Sequence, residues 1–248
     1  MMDTNHLQAE TIMEGLPLPG GTKAEAQDRF RDDLIRLEQQ TVEALDLVVS
    51  QLDRALEALS YQDIELAGMV VAGDDQIDAL YLDVHQGVLS LLGRQPQQGE
   101  ALRLLAALLH IIRCIERMGD QCTNIAKLVP LSGHEPPKDH QILESIEKMG
   151  ISAREEVLQS RDAFRMRHIS LAKDLVRADM DVNRLNRSIF QRAVEIGDDP
   201  ELREWAMFMV LVARCLERIG DNTVDIAEQT AFVVSGKFRE FTTADIPS

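Results

Sequence analysis

Residues 113–126, RCIERMGDQCTNIA, return at 214–227 as RCLERIGDNTVDIA, with eight of the fourteen aligned positions identical. The offset is 101 residues (217 − 116 = 101), so the chain is an internal duplication of a unit of about 100 residues. The repeated piece is polar where a core helix should be apolar. Oxygen-bearing side chains, acidic except at Asn124, recur every fourth residue: Glu116, Asp120 and then Asn124; Glu217, Asp221 and then Asp225. On a helix, positions i, i+4 and i+8 share one face, with about 6 Å of rise between neighbours. Carboxylates stacked this way repel unless something cationic lies between them.

A second pair lies upstream in each unit. Asp74-Asp-Gln-Ile-Asp78 has its counterpart in Asp179-Met-Asp-Val-Asn183, at an offset of 105 (179 − 74 = 105). Each unit therefore carries two such pairs on different helices. Antiparallel packing would bring them to the same height.

Leu, Ala, Glu, Arg, Asp and Gln dominate, aromatic content is 4%, and no stretch alternates with period two. This is a helical composition. A net charge of −16 repels phosphate backbones and anionic lipids. Direct nucleic-acid binding is not expected; cations or a basic protein surface suit the charge, as does plain solubility. Cys114, Cys122 and Cys215 form no CxxC, and an odd count gives no disulfide framework. They read as small buried apolar residues in a reducing compartment. No run of about 18 apolar residues is present, and the first residues lack the pattern of a secretory signal.

Residues 1–22 read as a flexible tail ended by Pro17, Pro19, Gly20 and Gly21. Apolar residues from Phe30 to Leu59 fit one long amphipathic helix. Asp63 can cap a second that runs to Gly93, and RQPQQG (94–99) breaks it. A third runs from Glu100 to Val129. PLSGHEPPKD (130–139) separates the repeats. Helices from His140 to Arg165, His168 to Ile196 and Glu201 to Val234 complete the second, with Gly-Asp-Asp-Pro (197–200) as a stop and Gly236 as the end. The fold class expected is all-α: two tandem antiparallel three-helix bundles, residues 23–130 and 138–236, followed by a tail over 237–248. Gly119 and Gly220 sit mid-helix, where glycine costs about 1 kcal/mol relative to alanine. They suit either a close helix contact or a ligand near the backbone.

The doubled ERxGD motif, with D-x-x-x-D upstream, resembles the PhoU family over nearly all of residues 28–236. The resemblance implies a cytoplasmic regulator of phosphate uptake and of the phosphate-starvation response. Such proteins are built from two three-helix bundles. The implied partners are the ATPase of the phosphate ABC transporter and the associated sensor histidine kinase, reached at the membrane through those partners. A homodimer is a further implied assembly. The acidic motifs are implied to hold Fe, Zn, Mn or Mg, on Asp74, Asp78, Glu116, Asp120 and Asn124 in the first repeat and Asp179, Asn183, Glu217, Asp221 and Asp225 in the second. Departures from the pattern are Gln121 and Asn222 where His is common, and Ala101-Leu102-Arg103 where the family has Asp-Leu-Arg.

Oxygen ligands favour hard ions over zinc, which prefers His and Cys. None of the six histidines has Glu three residues before it, so the E-x-x-H of di-iron bundles is missing. No P-loop, nucleophile elbow or dinucleotide fingerprint stands in the chain. The expectation is a protein that is not an enzyme. A metal-storing or metal-dependent enzyme on the same bundles, and an accessory protein of another phosphate permease, are the alternatives. A further reading of the acids is salt bridging: Arg113 lies three residues before Glu116, and Arg214 three before Glu217.

Overall fold

The computed structural model describes residues 23–94, 99–133 and 136–241. The expected N-terminal tail, most of the RQPQQG breaker and residues 242–248 lie outside the described residues. Among the described residues there are six α-helices: α1 (Lys23–Tyr61), α2 (Ile64–Arg94), α3 (Gly99–Leu128), α4 (His140–Met166), α5 (Ile169–Glu195) and α6 (Pro200–Ser235). A 3-10 turn, Val129–Leu131, follows α3.

Local chemistry fixes the helix ends. The Asp63 carboxylate accepts from the Leu66 N–H at 2.9 Å and starts α2. Asp139 does the same for α4, accepting from Ile142 at 3.0 Å. Asp199 accepts from Glu201 and Leu202 at 3.1 Å each, and Pro200 follows it into α6. Each such cap satisfies an N–H that the first helical turn leaves without an intrahelical partner. Gly236 closes α6 with φ 72°, a left-handed conformation that glycine adopts without strain. Most helix ends fall within a residue or two of the expected positions, α1 starting earlier, at Lys23, and two ends carry caps that the expectation lacked. His168 is the N-cap of α5, its Nδ1 accepting from Leu171 at 3.2 Å, and not its first residue. The turn between α4 and α5 places Arg167 at φ 54°, where no glycine marks it.

Helices α1, α2 and α3 pack on one another, as do α4, α5 and α6. The two bundles then join through α3 against α6 and α1 against α4. The join explains the burial pattern. Outer helix α2 buries a single stripe: Ala67, Val70, Ile77, Val84, Val88 and Leu91. Inner helices α3 and α6 are enclosed on most of their circumference. One hydrophobic core runs through both bundles, from Leu45 and Leu52 through Ile111 and Ile115 to Val157, Trp205 and Leu216. Each such side chain contributes roughly 1.5–3 kcal/mol on burial. No helix among the described residues is long and apolar enough to cross a membrane.

Candidate metal centres on the acidic helix faces

In the first repeat, Asp74 and Asp78 project from α2, and Glu116 and Asp120 from α3. The charges of Asp78 and Asp120 both act on Asp74 and on Glu116, so the four carboxylates are coupled electrostatically. Burial, then the negative charges of Asp78 and Asp120, raise the Asp74 carboxyl above its usual range; a hydrogen bond from Thr123 and the charge of Lys127 oppose the rise. Burial also raises Glu116, with Arg113 opposing it. The Arg113–Glu116 ion pair forms at 3.2 Å through Oε1, while the buried Oε2 of Glu116 has no hydrogen-bond partner. The salt-bridge reading of this acid thus accounts for one oxygen of two. Asn124 is exposed and hydrogen-bonds to none of the four.

The second repeat repeats the plan with a different charge distribution. Asp179 on α5 and Glu217 and Asp221 on α6 come together, burial raising the pKa of all three. Asp179 is pushed up to about 6 by burial, then by Asp221 and Glu217. Asn183 donates to Asp179 Oδ2 at 2.7 Å, so its amide is engaged in orienting that carboxylate. Glu217 pairs with Arg214, as Glu116 pairs with Arg113. Asp225 interacts with Asp221, but its neighbours also include His110 and Arg117 of α3.

A carboxylate that the sequence reading missed sits deepest. Glu156 of α4 is 1% exposed, and neither of its oxygens has a hydrogen-bond partner of adequate geometry. Burial pushes it up to about 8, with Asp179, Asp221 and Asp181 adding to the rise. A methyl group placed on Gly220 would stand 2.8 Å from Glu156 Oε2 and 2.9 Å from Asp179 Oδ1. The mid-helix glycine is therefore the point on which carboxylates from α4 and α5 converge. Gly119 plays a looser version of this role, with Asp74 Oδ1 at 3.2 Å and Ile77 Cδ1 at 3.0 Å. The offset of 105 that links Asp74 to Asp179 carries Gln51 onto Glu156. Gln51 is likewise buried, with an unpartnered Oε1. Each repeat thus holds four carboxylates. The second has Asn183 where the first has Asp78, and Glu156 where the first has Gln51. The signal in the sequence was a charged residue on an apolar stripe, flanked by Met149, Ala153, Val157 and Ala163.

These donors are oxygens, several of them buried and without protein partners. Ionised carboxylates so placed require a cation or a proton. Among the described residues, no three of Asp74, Asp78, Glu116 and Asp120, nor of Glu156, Asp179, Glu217 and Asp221, set one oxygen each within 4.8 Å of one another, so neither set as it stands is closed around an ion. Their all-oxygen donors are of the kind that hard divalent or trivalent ions take.

Comparison with known proteins agrees with this architecture. The family model for the PhoU domain matches twice, over residues 41–129 and 146–230. A relative from Clostridium acetobutylicum, named phosphate-specific transport system accessory protein PhoU homolog, is 30% identical over 84% of this chain and 95% of its own length. One of the same name from Aquifex aeolicus is 32% identical over 75% of this chain and 84% of its own. Among solved structures, PhoU from Pseudomonas aeruginosa superposes with a TM-score of 0.77 at 25% identity, covering 84% of this chain and all of the other. The phosphate transport system regulatory protein PhoU from Streptococcus pneumoniae shares the fold with a TM-score of 0.79 at 23% identity, covering 86% of this chain and all of the other. With two acidic three-helix units, a doubled domain match and relatives aligned over nearly their full length, the chain belongs to the PhoU family.

Proposed function

We propose that this protein is a non-enzymatic regulator of phosphate uptake and of the phosphate-starvation response, working in the cytoplasm. It acts by contact with the ATPase of the phosphate ABC transporter and with its sensor histidine kinase. The observation that carries the reading is the match of both repeats to the PhoU domain, in relatives named as accessory proteins of phosphate-specific transport. The net charge of −16 supports docking on a basic protein surface, with attraction screened over about 8–10 Å at physiological salt. Cations held by the acidic faces would neutralise the clustered carboxylates and stiffen each bundle.

Deletion of the gene should switch on starvation genes while phosphate is plentiful, and a copy in trans should silence them. Affinity capture from phosphate-replete cells should recover the transporter ATPase and the kinase, less so as salt rises. Metal analysis should find Mn, Fe or Zn uptake that falls in the combined variant Glu116→Gln, Asp120→Asn, Glu217→Gln, Asp221→Asn. Unchanged phosphate uptake and starvation-gene expression in the deletion strain, with turnover by the metal-loaded protein, would overturn the regulator in favour of the enzyme. Capture of a different phosphate permease would redirect the partner assignment.

A further inference from the structure

Where α3 crosses α6, the two repeats meet at a group with different chemistry from the acidic faces. Cys114 lies in this interface, 1% exposed. His110 stands one turn earlier on the same face of α3 and is exposed. Asp225, half-buried, approaches from α6. An imidazole nitrogen, the Cys114 sulfur and an Asp225 carboxylate oxygen all lie within 4.8 Å of one another. Among the described residues, neither the thiol nor this carboxylate is engaged in a hydrogen bond or salt bridge.

We propose that His110, Cys114 and Asp225 form a zinc-class metal site that bridges the two repeats. Nitrogen, sulfur and oxygen donors together select a borderline cation, unlike the all-oxygen acidic faces. Three protein ligands leave a fourth position for water. Bonds of 2.0–2.3 Å in a tetrahedron set ligand atoms roughly 3.5 Å apart, so closing the site takes an approach of about 1 Å. The exposed His110 side chain has the freedom to make it. Arg113 and Arg117 lie near Cys114 and disfavour a cation; Asp221 and Glu240 lie near Asp225 and favour one. Burial and the Asp225 charge push the Cys114 thiol up to about 12, so binding must displace its proton to the solvent.

The duplication supplies an internal comparison. The offset of 101 carries His110, Cys114 and Asn124 onto Leu211, Cys215 and Asp225. The mirror-related set is therefore Leu211, Cys215 and Asn124, with the cysteine kept and both other donors lost. Packing accounts for a small buried cysteine at both positions, but not for an imidazole and a carboxylate gathered around one of them. This assignment takes Asp225 out of the acidic row of α6.

The test is a titration of the full-length protein, stripped with a chelator, with Co2+. A sulfur-to-cobalt charge-transfer band should grow to one equivalent, and Zn2+ should abolish it. Cys114→Ala should remove the band and Cys215→Ala should keep it. His110→Leu should weaken apparent affinity by at least the roughly 10–100-fold that loss of a mere outer partner costs. His110 is exposed and its repeat mate is leucine, so this variant leaves the core intact. The combined motif variant of Glu116, Asp120, Glu217 and Asp221 should keep the band. Cobalt uptake without a charge-transfer band, or a band unaltered in Cys114→Ala or His110→Leu, would overturn the site. Since the band reports thiolate alone, its absence beside motif-dependent uptake would leave the acidic faces standing, and the converse would remove those instead.

Discussion

Replacing Glu156 by Gln removes an ionisable group from the least accessible position in the second repeat while keeping its shape. In the unfolded chain this carboxyl titrates near 4.5; in the folded protein it is held at about 8. Between these values the folded state binds the proton that the unfolded state has released. Stability is therefore fully present below pH 4.5 and falls as the pH rises toward 8, by about 1.4 kcal/mol per pH unit. At pH 7 the accumulated cost is about 3 kcal/mol, and at pH 5 it is below about 1 kcal/mol. Glutamine does not ionise, so Glu156→Gln should exceed the wild type in stability by about 3 kcal/mol at pH 7 and nearly match it at pH 5. Urea denaturation of both proteins in chelator at the two pH values measures this directly. Asp179 and the other raised carboxylates slope the same way, and the difference between the two proteins reports Glu156 together with its coupling to Asp179 and Asp221. A variant that is less stable at pH 7, or that falls with pH as steeply as the wild type, would refute the reasoning.

Gly220→Ala should gain about 1 kcal/mol of helix propensity and lose it to crowding, since the new methyl meets the carboxylates of Glu156 and Asp179; a net cost of about 1–3 kcal/mol in thermal unfolding is expected. Gly68→Ala, with nothing within 4 Å, should gain up to about 1 kcal/mol and serves as the control. Asp139→Ala removes the cap of α4 and the ion pair to Arg192 at 2.7 Å, and should cost about 1–2 kcal/mol at pH 7. The Arg192 hydrogen bond holds Asp139 below its usual range, so its contribution is present above pH 3.8 and lost as the pH falls further. The stability gap between wild type and variant should close in acid. Trp205→Ala, at a position 2% exposed in the core shared by both bundles, should cost about 3–5 kcal/mol by chemical denaturation.

Much of the fold was legible because its signals are local. Asp63, Asp199 with Pro200, and Gly236 end helices through bonds to residues a few positions away. His168 and Arg167 escaped because capping by an imidazole and a left-handed arginine leave weak sequence marks. The acidic rows were legible because spacing of four fixes a helix face whatever the helix packs against. Asn183 reads as a ligand by position; that its Nδ2 donates to Asp179 is set by the rotamers of α5 and leaves no mark in the sequence. Glu156 was not legible as a site residue: Glu155 and Glu156 stand side by side in the sequence, and the turn of α4 exposes the first and buries the second.

The sequence by itself determined the helical class, the duplication and the pairing of carboxylates along each helix, because period, caps and repeats are properties of neighbours in the chain. The tertiary structure decided which carboxylates lose their water, and that α3 meets α6. Packing of α4 against α5 and α6 sets Glu156 beside Asp179 and Gly220, and the α3–α6 crossing sets His110 and Cys114 beside Asp225. Those groups lie far apart along the chain. Their charge states and ligand chemistry depend on desolvation and distance, which exist only once the bundles have closed.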